Sequence, residues 1–195
     1  MIRIQTLVLT LVVFLSFNIY AEIKISPDRN PKYNSNINPK YNSNINPKYN
    51  ADINPKYNSN INPKYNLDIN PKYNLDINSK YNSNINPKYN LDINPKYNLD
   101  INPKYNLDIN PKYNQSINGL YIFANNNDVI GFVVFYDGIG ISFDASVNLN
   151  GYLIPHEKGF NFYNKSMVMR ELWLNNSNSG YNIFDLSNVW TGYAN

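Results

Sequence analysis

The chain contains no cysteine in its 195 residues. Disulfides, thiolate metal sites and a cysteine-linked lipid anchor are therefore excluded, and stability has to come from packing or repetition. Histidine is almost as scarce, since His156 stands alone in Ile154-Pro155-His156-Glu157-Lys158-Gly159, a stretch that reads as a surface loop. With one histidine and no cysteine, only a carboxylate-rich site could hold a metal, and no Asp/Glu cluster is visible, so no metal or cofactor is expected. Phosphate loops and nucleophile motifs are also missing. Asp144 with Glu157 or Glu171 are carboxylate pairs of the kind a glycosidase uses, but nothing in the sequence sets them face to face, and an enzyme is not expected.

Long apolar runs are missing after the first twenty residues. Met1-Ile2-Arg3 is followed by the apolar stretch Leu7 to Phe17 and then by Ala21, a small residue suited to signal-peptidase cleavage. The expectation is a signal peptide over 1–21, a short linker over 22–29, and a protein that is secreted, periplasmic or on the cell surface. A membrane anchor is the rival, but the stretch is short for a span of about 20 residues. The next longest apolar run, Val129 to Tyr136, is too short to span, so no transmembrane segment is expected after cleavage.

What the chain has in abundance is repetition. From Asn30 the octapeptide Asn-Pro-Lys-Tyr-Asn-x-(Asn/Asp)-Ile recurs eleven times, with tyrosines from Tyr33 to Tyr113 at a strict period of eight. Ser79 replaces one proline, and positions six and seven vary between Ser-Asn, Ala-Asp and Leu-Asp. A proline in almost every unit rules out a continuous α-helix, and Asn-Pro-Lys-Tyr has the residue order of a type I turn. The array over 30–116 is thus non-helical, and two states remain open. It is a mobile turn or polyproline-like stalk, or its units stack as a β-solenoid. Extended-chain alternation in the second state would bury an Ile-Tyr stripe and stack Asn ladders. One unit carries too little apolar surface to offset about 1 to 2 kcal/mol of backbone entropy per residue, so order requires stacking.

The array holds eleven Lys against six Asp, whereas residues 115 to 195 hold three basic and six acidic side chains. This asymmetry favours attraction between the halves, between molecules, or to an anionic surface polymer. Sparse Lys, partly offset by Asp in an exported chain, argues against nucleic acid. The lack of threonine and a Lys in every unit argue against ice binding, and five units without any carboxylate argue against a calcium array. Recent duplication in an AT-rich gene is a further explanation of such near-identical copies.

From Ile117 proline almost disappears and short alternating apolar runs are separated by Asn, Asp, Ser and Gly clusters. A worn twenty-residue repeat is discernible. Phe123 is followed eight residues later by Gly131-Phe132, Phe143 by Gly151-Tyr152, Tyr163 by Glu171-Leu172 and Phe184 by Gly192-Tyr193. Each copy reads as strand, polar turn, strand, with turns near Asn125 to Asp128, Ser146 to Asn148, Lys165-Ser166 and Ser187-Asn188. Because a lone hairpin is marginal in water, residues 117–195 are expected to form an all-β module of about four packed β-hairpins, as sandwich, barrel or short solenoid.

Twenty-residue hairpins with Gly-aromatic pairs resemble the choline-binding and related cell-wall-binding repeats of bacterial surface proteins. The resemblance covers residues 118–195 and implies ligand stacking on aromatics between neighbouring hairpins, here Phe132, Tyr152, Trp173, Trp190 and Tyr193. The other reading of the same aromatics is a hydrophobic core. The expected function is a non-enzymatic binding or adhesion module on a repeat stalk, with envelope carbohydrate, wall polymer or surface protein as partner. The alternative is a self-assembling fibre or matrix protein.

Overall fold

A computed structural model describes residues 27–176 and 179–195. The expected signal peptide and most of the linker after it lie outside the described residues. Among those residues there is no α-helix, and no helix is long and apolar enough to cross a membrane.

The C-terminal module is a closed barrel of eight antiparallel strands in sequence order: β1 (Gly119–Ala124), β2 (Val129–Tyr136), β3 (Ile139–Asp144), β4 (Leu149–His156), β5 (Gly159–Asn164), β6 (Met169–Asn175), β7 (Tyr181–Asp185) and β8 (Trp190–Ala194). Pairing of β1 with β8 closes the barrel, which removes both sheet edges. Four hairpins are therefore present, and barrel closure is the solution among those open to the sequence.

The worn repeat has a structural counterpart in each hairpin. The register slips by one residue immediately before Phe123, Phe143, Tyr163 and Phe184, so each starting aromatic follows a bulge. Tight five-residue turns follow. In three of them a side-chain oxygen closes the loop: Oδ1 of Asp144, Asn164 and Asp185 each accepts two backbone N–H groups, at 2.8–3.0 Å. The fourth residue of these turns has a left-handed backbone, including Val147 at φ 62°. A β-branched residue there is strained, and burial of Val147 in the core offsets that cost.

Both faces of the barrel wall are buried. Ile122, Val133, Leu153, Phe162, Trp173 and Ile183 fill the interior. On the interior side a Cβ on Gly151 would lie 2.1 Å from the Tyr163 carbonyl oxygen, so only glycine fits against that bulge. The outer face carries Phe123, Phe132, Phe143, Tyr152, Tyr163 and Tyr193, a wall that solvent would not tolerate uncovered. The octapeptide array covers it.

Each octapeptide is two consecutive turns rather than an extended strand. In the unit 62–69, the Asn62 carbonyl accepts the backbone N–H of Tyr65 at 3.0 Å and of Asn66 at 2.9 Å, and the Leu67 carbonyl accepts that of Asn70 at 3.2 Å. Both asparagines work at both ends. Asn62 Oδ1 accepts the Lys64 N–H at 2.9 Å while Nδ2 donates to the Pro55 carbonyl of the preceding unit at 2.8 Å. Asn66 Oδ1 accepts the Asp68 N–H at 3.0 Å while Nδ2 donates to the Asn60 carbonyl at 2.7 Å. This double use explains why positions one and five are Asn in every unit: aspartate would keep the acceptor and lose the donor.

The turns put Ile and Pro on the inner side and Lys, Tyr and positions six and seven on the outer side. The expected buried Ile-Tyr stripe is thus corrected, because alternation along an extended chain does not apply to a chain of turns. Positions six and seven face solvent, which is why they alone vary freely. Ser79, at the one lost proline, is buried and donates its hydroxyl to Met169 Sδ at 3.5 Å.

The ribbon runs around the barrel against the order of the strands. Asn182 Nδ2 of β7 donates to the Ile53 carbonyl at 3.0 Å, and Asn161 Nδ2 of β5 donates to the Ile77 carbonyl at 2.9 Å. Further on, residues 83–85 pack on β4, residues 107–109 pack on β2, and Ile117 leads into β1. The stacking that order demands is supplied by the barrel wall, not by neighbouring repeats alone.

Candidate functional site: the outer face of the octapeptide sleeve

The aromatic residues that the hairpin resemblance singled out are positioned by the barrel as core. Phe132 of β2, Tyr152 of β4 and Tyr193 of β8 lie on the outer wall beneath the array, and Trp173 of β6 lies in the barrel interior; all four are at most 2% exposed. Their rings meet other core rings, as Phe132 meets Tyr121 and Tyr193 stacks on Phe123 at 5.2 Å. Trp190, at the start of β8, keeps partial exposure and packs against the same wall. These five residues are not gathered into one cleft, and four of them have no surface on which a ligand could stack.

Exposed aromatic surface lies instead on the array. The eleven tyrosines from Tyr33 to Tyr113 are 56–77% exposed, although the backbone beneath them is held by the two-turn unit. In eight units the preceding lysine ammonium lies 5.2–5.7 Å from the centre of its own tyrosine ring, a cation–π distance. The local cause is the turn itself, which turns lysine and tyrosine to the same side while proline faces the barrel. The site residues expected from the sequence leave these tyrosines out because they follow the hairpin resemblance, and only the stacked-solenoid alternative placed the tyrosines in a buried stripe. The strict eight-residue period was the signal that marked them.

Electrostatically the outer face is positive overall, with eleven Lys and six Asp over the array. Lys40 forms an ion pair with Asp128 of the first hairpin turn at 3.0 Å, and the hydrogen bond and charge of Lys40 hold the Asp128 carboxyl below its ordinary value. The predicted attraction between the basic and acidic halves is realised at this contact.

One buried and two half-buried groups complete the electrostatic picture. Glu171 occupies, in the third hairpin, the interior position that is Gly131, Gly151 and Gly192 in the others. Burial pushes its carboxyl upward, opposed by the Trp173 Nε1–H that donates to Oε2 at 3.0 Å. His156 is lowered to about 4 by burial, with its Nδ1 accepting the Lys158 N–H at 3.2 Å. Burial also raises the Tyr163 phenol to about 12, and its hydroxyl donates to the Ile85 carbonyl at 3.0 Å. These groups stand on separate elements, and no cluster of three or more metal-ligating side chains occurs among the described residues.

The chain matches no protein-family model, no curated protein and no solved structure. Its own geometry is therefore the ground for a functional reading.

Proposed function

We propose that this is an exported, non-enzymatic binding protein whose recognition surface is the Lys-Tyr face of the octapeptide sleeve, and whose partner is an anionic envelope carbohydrate or wall polymer. The carrying observation is that every unit turns its tyrosine and lysine outward, at one period, on a backbone fixed by asparagine side chains. A folded chain hides most large aromatics, so eleven exposed tyrosines on an ordered support favour a binding role. Tyrosine faces suit stacking on sugar rings, lysines suit acidic substituents, and repetition converts weak single contacts into avidity along a polymer. The barrel acts as the rigid former that shapes this surface.

Co-sedimentation with insoluble polygalacturonate, against neutral dextran, tests the reading. Binding is expected to be selective for the acidic polymer and to weaken with salt. Replacing Tyr89, Tyr97 and Tyr105 by Ala and Lys88, Lys96 and Lys104 by Gln should release the polymer without altering the melting temperature. Undiminished binding by that variant would rule the sleeve face out.

A second reading, self-assembly, is favoured by Leu67, Leu75, Leu91, Leu99 and Leu107, which are 49–56% exposed beside the tyrosines. Sedimentation equilibrium separates the two: a strictly monomeric protein at high concentration removes it.

A further inference from the structure

The sleeve has two chemically different edges, and each belongs to one end of the barrel. The turns after β1, β3, β5 and β7 lie at one end, and those after β2 and β4 at the other. Lysine faces the first end. Lys40 pairs with Asp128 in the turn after β1 at 3.0 Å, and Lys56, Lys64 and Lys72 line a hollow of about 540 Å³ with Ser187, Asn188 and Val189 of the turn after β7. Positions five to seven of the unit belong to the second end. Asn74 Nδ2 donates to the Asp68 carbonyl at 2.7 Å and to Glu157 Oε1, in the turn after β4, at 3.3 Å. Further along the same edge, Leu99, Asp100, Leu107 and Asp108 line a hollow of about 530 Å³. Among the described residues no carboxylate lines the first hollow and no lysine the second. Because every unit repeats the same turns with isoleucine inward, this polarity holds around the sleeve.

The two edges keep opposite charges apart within one molecule. In the six units that carry aspartate it follows lysine by four residues, yet none of the lysines from Lys48 to Lys112 and none of the aspartates from Asp52 to Asp108 forms an ion pair among the described residues. The hairpin turns do not reverse this polarity. At the basic end Asp128 is paired with Lys40, Asp144 and Asp185 close their own turns, and Lys165 adds a positive charge. At the acidic end stand Asp137 and Glu157 against Lys158. Both ends also present apolar side chains that are 36–59% exposed: Val129, Val168, Leu186 and Val189 at the basic end, and Phe135, Tyr136 and the five leucines of the Leu-Asp units at the acidic end. Exposed apolar groups collected at both ends of one molecule mark interaction surfaces.

We propose that the basic end of one molecule docks on the acidic end of a second copy of this chain, so that copies stack head to tail along the barrel axis. The two rims share one eight-residue repeat, so successive lysines of one copy meet successive aspartates of the next in a common register. The exposed valines and leucines are covered between them. A two-fold contact would set lysine against lysine or aspartate against aspartate and stop at a dimer. Contact between unlike ends is heterologous and leaves a free end on every stack, which allows continued growth. Stacking deepens the self-assembly reading and rests on it. The tyrosines border both hollows, as Tyr65 and Tyr73 do at the basic edge and Tyr105 at the acidic edge, which puts their rings on the flank of a stack, where a polymer can still reach them.

Sedimentation velocity over a range of protein concentrations, with charge reversal at each edge, supplies the test. The parent chain is expected to grow past a dimer as concentration rises. One variant carries Lys56→Glu, Lys64→Glu and Lys72→Glu, and the other carries Asp92→Lys, Asp100→Lys and Asp108→Lys. Each alone is expected to associate about tenfold more weakly, because like charges then meet, and an equal mixture of the two is expected to regain association, because the reversed edges suit each other. Misfolding would not be rescued by mixing. A third variant, Leu91→Ser, Leu99→Ser and Leu107→Ser, changes only exposed side chains and covers the case in which a charge-reversed chain does not fold. It is expected to show the same loss of association while still co-sedimenting with polygalacturonate. A parent that stays monomeric or stops at a dimer, folded reversed variants that stay apart when mixed, or a leucine variant that associates like the parent overturns the proposal. A closed dimer removes the head-to-tail contact and leaves self-assembly standing, whereas a monomer removes both, so the two failures are distinguishable.

Discussion

Asn182 of the seventh strand donates its side-chain amide to the backbone carbonyl of Ile53, 129 residues earlier, at 3.0 Å in a fully buried setting. The bond joins the hairpin repeat to the octapeptide repeat, and Asn161 makes its counterpart with Ile77. Replacing either asparagine by alanine leaves a buried carbonyl without its donor, a cost of about 1 to 3 kcal/mol. Urea unfolding of Asn161→Ala, Asn182→Ala and the double variant measures it. Because the sites touch different strands, the two losses are expected to add.

The inner and outer sides of the ribbon should differ sharply in sensitivity. Ile77 is 0% exposed and Tyr89 is 63% exposed. Ile77→Ala is expected to destabilise by about 2 to 5 kcal/mol, and Tyr89→Ala to stay within about 0.5 kcal/mol. Equal effects in thermal melts would show that the ribbon faces the barrel differently.

Asparagine at the first position of a unit cannot be exchanged for its acid. Asn54 is 5% exposed, donating to the Pro47 carbonyl at 2.6 Å and accepting from the Lys56 N–H at 2.9 Å. Asn54→Asp removes the donor and buries a charge beside a carbonyl, so a loss of about 2 kcal/mol or more is expected. Asp52→Asn, on the exposed side of the preceding unit, is expected to be neutral. Denaturant midpoints of the pair give the comparison.

His156 and Glu171 give opposite pH signatures. The His156 pKa falls from the ordinary 6.5 to about 4 on folding, so the unfolded chain binds the extra proton and stability is lost as pH drops through that window. The loss has an upper bound of about 3 kcal/mol at 1.36 kcal/mol per pKa unit, and His156→Gln should flatten it. Glu171 is raised above its ordinary 4.5, so its contribution is present below that value and fades as pH rises through the folded-state value. Glu171→Gln should therefore gain relative stability at pH 8 compared with pH 4. Denaturant titrations at several pH values check both slopes.

The resolved hairpins show how far local chemistry reaches. The Phe123, Phe143, Tyr163 and Phe184 spacing located four hairpins, and the Asn, Asp and Ser clusters located their turns, because turn formation and strand alternation depend on neighbours in the chain. Asp144, Asn164 and Asp185, which close three of those turns, were visible only as turn composition. Proline in the octapeptides excluded an α-helix for the same local reason.

What the sequence determined by itself is the set of units: non-helical octapeptides that gain order only by stacking, and aromatic hairpins that have to pack on one another. Only the tertiary structure decided that each answers the other. Whether Tyr152 and Tyr193 face a ligand or lie beneath Ile-Pro units, and whether Tyr89 is buried or exposed, depends on closing the barrel and on the ribbon that runs around it. That path is a relation between two separate repeats, expressed in contacts such as Asn182 with Ile53, and no local pattern in either one contains it.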